Sequence, residues 1–411
     1  MKLMDLFKKI LFSCAAIVLC LVCIAVLGEI VFRFLKGAPA ESSLHKITQK
    51  CDQTLFEPGI VLESKSDMEG EFEYSAHINT FGYRGKDFSK EKTPGTIRIL
   101  AMGDSFTFGV GAQDDQTVPF LIEKDLTAQG LAVEVINAGI GHASTIRHWD
   151  NLQKIHLQYK PDVVILFFDM TDVWDDWHWE RHAVWKDGKI ERFDLDFMNG
   201  KRSLWMTLAH NSAFCKYLQN KVVRTVEKLR LLGLKNYLKV KSEGGRAKAY
   251  IANHPEEFSN EVLTEFDGLL FMRGRKYQDL ILPHWARSMK YLNKIKELLD
   301  QQGIAFVLAT YPHGIYVGPD QWNKGREAWG FKADTLYTDL YPFELMAQYG
   351  KEAGVIFIDP LAAFLQAPPQ KYFYDWDGHM TPAANRIVAD AVSSNPQLLD
   401  LLKEKTYAAK Q

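Results

Sequence analysis

Cysteine is scarce in this chain, five in 411 residues, and three of the five (Cys14, Cys20 and Cys23) fall inside one apolar run, where they serve as small apolar side chains. Cys51 and Cys215 remain, and two cysteines make no disulfide framework; their spacing alone shows no bond. An excess of one charge sign is missing too. With a formal net charge of −2, nothing in the balance points to nucleic acid or an anionic surface as the main partner. Internal repeats and long low-complexity segments are absent. The apolar fraction of 47% is that of an ordinary globular protein with a full core.

One long hydrophobic run is present. Ile10–Leu27 is almost wholly apolar, with Ser13 its only clearly polar side chain, and Ile30-Val31-Phe32 extends it beyond Glu29. About 20 apolar residues span a bilayer core, whereas the apolar region of a cleaved signal peptide runs to about 7–15 with a small-residue site close behind. Ala38-Pro39-Ala40 has suitable residue types, but Arg33 and Lys36 separate it from the run. Leu11-Phe12-Ser13-Cys14 has almost no apolar run before it and a long one after. The expectation is one uncleaved N-terminal transmembrane helix. Lys2, Lys8 and Lys9 precede the span and Arg33, Lys36, Lys46 and Lys50 follow it, so loop charge leaves its orientation open. Long domains translocate largely regardless of charge, which allows a single-pass protein of the inner (cell) membrane with its main domain in the periplasm.

Beyond the span, residues 37–95 read as a tether followed by irregular strands, with turn signals at Glu57-Pro58-Gly59, Phe81-Gly82-Tyr83 and Thr93-Pro94-Gly95. Five short apolar runs read as buried strands: Ile97–Met102, Val133–Asn137, Val163–Phe168, Ala305–Thr310 and Val355–Asp359. Helical patterns lie between them, at Val118–Gln129, Thr145–Tyr159, Trp285–Gln302 and Leu336–Ala353. This alternation predicts a parallel sheet covered on both faces. The stretch Thr171–Pro283 is too long for one crossover. It holds a hairpin candidate around Trp185–Lys189, a helical stretch at Leu218–Leu232 and a basic patch at Lys235–Lys248, and reads as an insertion that caps the sheet.

The chemistry concentrates in two distant segments. Gly103-Asp104-Ser105 turns out of the first strand, which places Ser105 at the carboxyl edge of the sheet, where ligands bind in open α/β folds. Near the other end, Asp375-Trp376-Asp377-Gly378-His379 offers a base for that hydroxyl. Asp377, two residues before the histidine, and Asp375, four before, are both candidates to orient the imidazole. Pro382 then starts a helix that holds the loop. Trp174, Trp177, Trp179 and Trp185 crowd after the third strand, where indoles suit either a carbohydrate surface or the packing of a cap. His178 and His182 flank Glu180, but not in the His-Glu-x-x-His order of a zinc helix, so no metal is expected.

Gly103-Asp104-Ser105-Phe106 with Asp377-Gly378-His379 resembles the SGNH/GDSL hydrolase superfamily, and Asn79–Gly85 and Asn137–His142 resemble its membrane-anchored bacterial members. The resemblance covers roughly residues 77–175 and 300–395, and the Asp-x-His spacing is that of members linked to polysaccharide O-acetylation. It implies a flavodoxin-like three-layer α/β/α parallel sheet that deacylates or transacylates esters. Two positions depart from the pattern: His142 stands where an oxyanion-binding glycine is usual, and Thr171 stands where an asparagine donor is usual. The organisation expected is an anchor over 1–36, a tether over 37–95, a catalytic domain in two halves over 96–175 and 284–411, and a cap over 176–283.

The function expected is that of a serine esterase or O-acyltransferase acting on O-acetylated polysaccharide. Ser105 is the nucleophile, His379 the base and Asp377 its orienting partner, with Ser105, His142 and Thr171 as oxyanion donors and Trp174 and Trp177 as substrate-binding residues. No cofactor is called for. An acylated glycan is the partner, with an acyl-donor protein in the membrane for transfer. A lipase or lysophospholipase, and a non-catalytic glycan-binding or assembly protein, are the alternatives.

Overall fold

A computed structural model describes residues 27–28, 30, 55–68, 70–193, 213–242 and 247–408. Apart from Leu27 and Ile30, the expected membrane span lies outside these residues, as does Cys51. Among the described residues no helix is long and apolar enough to cross a membrane. The chain divides into two compact units, Met1–Lys46 with Asp194–Ser242 and Ile47–Phe193 with Glu243–Gln411. The first is described chiefly by the helix Ala213–Ser242, which contains the stretch predicted at Leu218–Leu232 and breaks at Gly233, where φ is 71° and ψ 163°.

The second unit begins with an antiparallel hairpin, β1 (Val61–Lys65) and β2 (Glu73–His77), formed from the segment read as irregular. Then follow β3 (Ile97–Gly103), β4 (Val133–Gly139) and β5 (Val163–Phe168). A second hairpin joins β6 (Ala183–Lys186) to β7 (Lys189–Phe193) through Asp187-Gly188. Both turn residues have positive φ, 50° and 75°, as a two-residue type I′ turn requires. The strands β8 (Ala305–Thr310) and β9 (Ile356–Ile358) complete the set.

The main sheet runs β4-β3-β5-β8-β9 and is parallel throughout. Each of its strands comes from one of the five apolar runs. Every residue of β3 and β5 is buried, because a parallel sheet is covered on both faces and its central strands have no solvent side to write as alternation. Numbered along the chain, the order is 2-1-3-4-5, that of flavodoxin-like sheets, with a switch point between β3 and β5 where successive crossovers leave in opposite directions. The fold class read from the sequence is thus the one observed for the sheet.

Three helices differ from expectation, and in one the change is only a later start, at Tyr341 rather than Leu336. The one predicted over Thr145–Tyr159 is regular only to Asn151, then widens into a π turn at Leu152–His156 and a 3-10 turn at Leu157–Tyr159. Buried His156 at the end of that wide turn meets the Tyr83 hydroxyl at 2.7 Å. The helix predicted from Trp285 starts at Gln278, which puts Pro283 inside it.

Candidate active site

Ser105 opens a one-turn helix, Ser105–Phe108, directly after β3. The Asp104 carboxylate caps it by accepting the Phe106 N–H at 2.9 Å. The helix sits so close on the strand ends that a Cβ at Gly103 would lie 2.1 Å from Thr107 Oγ1, and one at Gly139 2.1 Å from the Phe108 nitrogen. Glycine at both positions is therefore a packing requirement of the turn that carries Ser105.

His379 arrives on a loop closed by two backbone bonds, Tyr374 N–H to the His379 carbonyl at 3.0 Å and Gly378 N–H to the Tyr374 carbonyl at 3.2 Å. Gly378 has φ 88°. Thr381 caps the helix Pro382–Ser393 that follows, with Pro382 in its first turn as predicted. His379 Nε2 lies 2.8 Å from Ser105 Oγ. Its Nδ1 bonds Asp377 Oδ1, and the same oxygen accepts the His379 backbone N–H at 3.0 Å. The structure thus brings Ser105, His379 and Asp377 together. Asp375 is turned away: its carboxylate takes Lys371 at 2.8 Å and its carbonyl accepts the N–H groups of Lys324 and Gly325.

Burial works against a charged His379, but the Asp377 carboxylate outweighs it by charge and hydrogen bond, with help from Asp104 and Asp169, and the imidazole pKa stands above its ordinary value. Burial likewise pushes Asp377 up, and His379 outweighs it and holds the carboxyl below its ordinary value. The pair is arranged to stabilise an imidazolium.

His142 adopts φ 58°, a left-handed conformation that costs a residue with a Cβ roughly 1–2 kcal/mol. The turn expected of a glycine is therefore kept without the glycine. Its carbonyl accepts the Trp179 indole N–H at 3.0 Å. Burial, then the charges of His379 and Arg147, depress the His142 imidazole pKa. Among the described residues neither the Ser105 N–H nor the His142 N–H has a partner.

Thr171 is the third expected donor. Its backbone N–H donates to Asp169 Oδ1 at 2.5 Å. The hydroxyl is therefore the donor it has left to offer an oxyanion, beside the N–H groups of Ser105 and His142.

Trp174 and Trp177 are tied into packing. The Trp174 indole donates to the Thr264 carbonyl at 2.8 Å and stacks on His178 at 5.0 Å. The Arg181 guanidinium sits 4.4 Å over the Trp177 ring. The Trp174 bond ties the helix Asp172–His182 to the neighbouring helix Asn260–Phe266, whereas the Arg181 contact lies within the helix, one turn on from Trp177. The exposed indole of the His379 loop is Trp376, 44% accessible. Among the described residues no three His, Cys, Asp or Glu are grouped to hold a metal.

Sequence reading missed a polar layer beneath Ser105. Tyr311 and His313 follow β8 at alternating positions. The Tyr311 hydroxyl donates to Asp104 Oδ1, and His313 Nε2 lies 3.1 and 3.3 Å from the Asp169 oxygens. Burial raises the Asp169 pKa, but His313 overrides it and the group stands below its ordinary value. Asp104, buried and facing the Asp169 charge, is pushed up to about 7. The available signal was a Tyr-Pro-His run at the carboxyl end of a buried strand, the edge where ligands bind.

Residues 264–411 match the family described as SGNH hydrolase-like domain, acetyltransferase AlgX. No curated protein matches the chain significantly. Among solved structures, an acetyl xylan esterase aligns with a TM-score of 0.35 at 16% identity, over 72% of this chain and 97% of its own. A lipase/acylhydrolase from Enterococcus faecalis gives 0.35 at 13% identity over 76% and 96%. A variant of an acetyl-xylooligosaccharide esterase from Geobacillus Stearmophilus gives 0.35 at 14% over 72% and 91%. Superpositions this loose carry no weight by themselves. The family match contains Asp377 and His379, and the sheet order adds the half that carries Ser105. The C-terminal part of this chain, which carries Asp377 and His379, is thus similar to an SGNH hydrolase-like domain of the AlgX type.

Proposed function

We propose that this protein is a serine esterase or O-acyltransferase that acts on O-acetylated polysaccharide through an acyl-Ser105 intermediate. The observation that carries the proposal is the 2.8 Å contact between Ser105 Oγ and His379 Nε2, with Asp377 on the other ring nitrogen. In the first step His379 takes the hydroxyl proton as Oγ attacks the ester carbonyl, and Asp377 stabilises the imidazolium that forms. The N–H groups of Ser105 and His142 receive the negative charge that develops on the carbonyl oxygen. Collapse expels the alcohol, which takes the proton from His379, and leaves the acyl group on Ser105. Attack by water gives hydrolysis and attack by a sugar hydroxyl gives transfer, with the same three groups acting in reverse.

The match to an acetyltransferase AlgX domain supports acetyl as the acyl group, and the Asp-x-His spacing of the His379 loop supports a polysaccharide as its carrier. On this reading the N-terminal span holds the domain outside the cytoplasm, beside a membrane protein that delivers acetyl groups. A fluorophosphonate probe should label the wild type at Ser105 and leave Ser105→Ala unlabelled. Short acyl esters should turn over faster than long ones. Preference for long acyl chains would make the protein a lipase, and absence of labelling in folded protein would remove the catalytic reading. Strong signal from a C-terminal reporter active only in the cytoplasm would overturn the topology.

A further inference from the structure

The hairpin ahead of the sheet carries a carboxylate that reaches the catalytic loop. Glu71, in the turn between β1 and β2, accepts the Trp376 N–H at 2.5 Å and the Asp377 N–H at 3.3 Å from each of its oxygens. The Ser66 hydroxyl steadies it at 3.1 Å. Beside it the Phe72 ring packs on Tyr374 at 4.9 Å, and the Tyr374 hydroxyl donates to the Gly111 carbonyl at 2.7 Å. The same hairpin is fastened to the nucleophile side. The Ser75 N–H donates to Gln113 at 3.2 Å, and His77 Nδ1 meets Asp114 at 2.7 Å, just beyond the nucleophile helix. One rigid element thus spans the gap between the segment that carries Ser105 and the loop that carries Asp377 and His379.

We infer that Glu71 is a positioning residue: it fixes the backbone of Asp377, and through Asp377 the orientation of His379 toward Ser105. The inference rests on the esterase reading above. Glu71 touches no reacting atom. Two loop N–H groups converge on the carboxyl oxygens of one side chain, so the backbone at Trp376 and Asp377 is held from a single point. Residue 377 sits between that anchor and the imidazole, so a small rotation of its peptide would move Oδ1 away from Nδ1.

The test measures hydrolysis of p-nitrophenyl acetate by the full chain. Glu71→Ala should lower kcat roughly 10- to 100-fold, the scale of a misplacement near 1 Å, with KM within about twofold of wild type. Glu71→Gln keeps the length and one acceptor oxygen, and should lose less; it replaces the alanine variant should that one fail to fold. The deciding measurement is a double-mutant cycle. In an Asp377→Ala background, which leaves Nδ1 of His379 without its acceptor, the further loss on Glu71→Ala should shrink to less than about threefold, because both changes act on one linkage. Unchanged turnover in a folded Glu71 variant, or equal loss in both backgrounds, would overturn the positioning role while leaving the esterase reading in place. A wild type that neither hydrolyses the ester nor takes a fluorophosphonate at Ser105 would remove both.

Discussion

Replacing Asp377 separates its charge from its shape. A single oxygen, Oδ1, accepts both the Nδ1 proton and the backbone N–H of His379. In Asp377→Asn the amide oxygen can occupy that place and keep both bonds, so the tautomer survives and only the negative charge is lost. A carboxylate and an imidazolium about 4 Å apart attract by about 4 kcal/mol at an effective dielectric of 20. That is at most about three decades in rate. Asp377→Asn should therefore reduce kcat by about 10²–10³. Asp377→Ala loses the acceptor as well, and should approach the roughly 10⁴ that follows when a triad imidazole adopts the wrong tautomer. Asp375→Asn, which removes only the Lys371 ion pair at the surface, should cost less than about tenfold. Steady-state kinetics on an acetyl ester, with melting curves to match the folded fractions, decide the ranking. Asn as damaging as Ala at 377 would refute the two-bond argument, and a larger effect at 375 than at 377 would transfer the role to Asp375.

The remaining expectations concern protons and the oxyanion. His379 acts only when neutral and its pKa is raised, so kcat/KM should fall with decreasing pH through a midpoint above the ordinary histidine value of about 6.5. Asp377→Asn should move that midpoint down; an upward shift in the pH profile would contradict the assignment. Asp104 has a folded pKa raised to about 7, so its contribution to stability is full below about pH 4 and is lost as pH rises toward 7, by up to about 4 kcal/mol. Asp104→Asn should flatten the fall of Tm over that window, and an unchanged slope would show that Asp104 does not titrate there. Thr171→Ala should lower kcat by about 10²–10³, the cost of losing one oxyanion donor; a loss below about tenfold would leave the charge to the N–H groups of Ser105 and His142.

What the sequence disclosed follows from how each feature is encoded. Buried parallel strands such as Val163–Phe168 are continuous apolar runs between turn residues, and they were legible almost to the residue. The meeting of Ser105 with His379 was legible because each lies in a compact local motif, and that of Asp377 because it shares the motif with His379. The helix after Thr145 kept its amphipathic pattern across the π turn, so periodicity alone could not reveal the wider winding. Polar contacts between distant segments leave no periodic trace. His313 meets Asp169 144 positions away, and Glu71 meets Trp376 305 positions away.

Arg84 sets where a working piece of this protein has to begin. Its guanidinium donates to the carbonyls of Phe108, Gly109 and Ala112 and pairs with Asp114. Around it Phe56, Leu62, Tyr74 and Ile78 share one apolar cluster with Phe108, Ile140 and Ala143. A truncation made at the start of β3 would strip the cation from the back of the nucleophile turn and bare the apolar face beneath it. Residues 55–93 are thus no leader to be trimmed in designing an expression boundary, and a chimera that swaps them for another protein's segment would have to re-create both the guanidinium and the seat it fills.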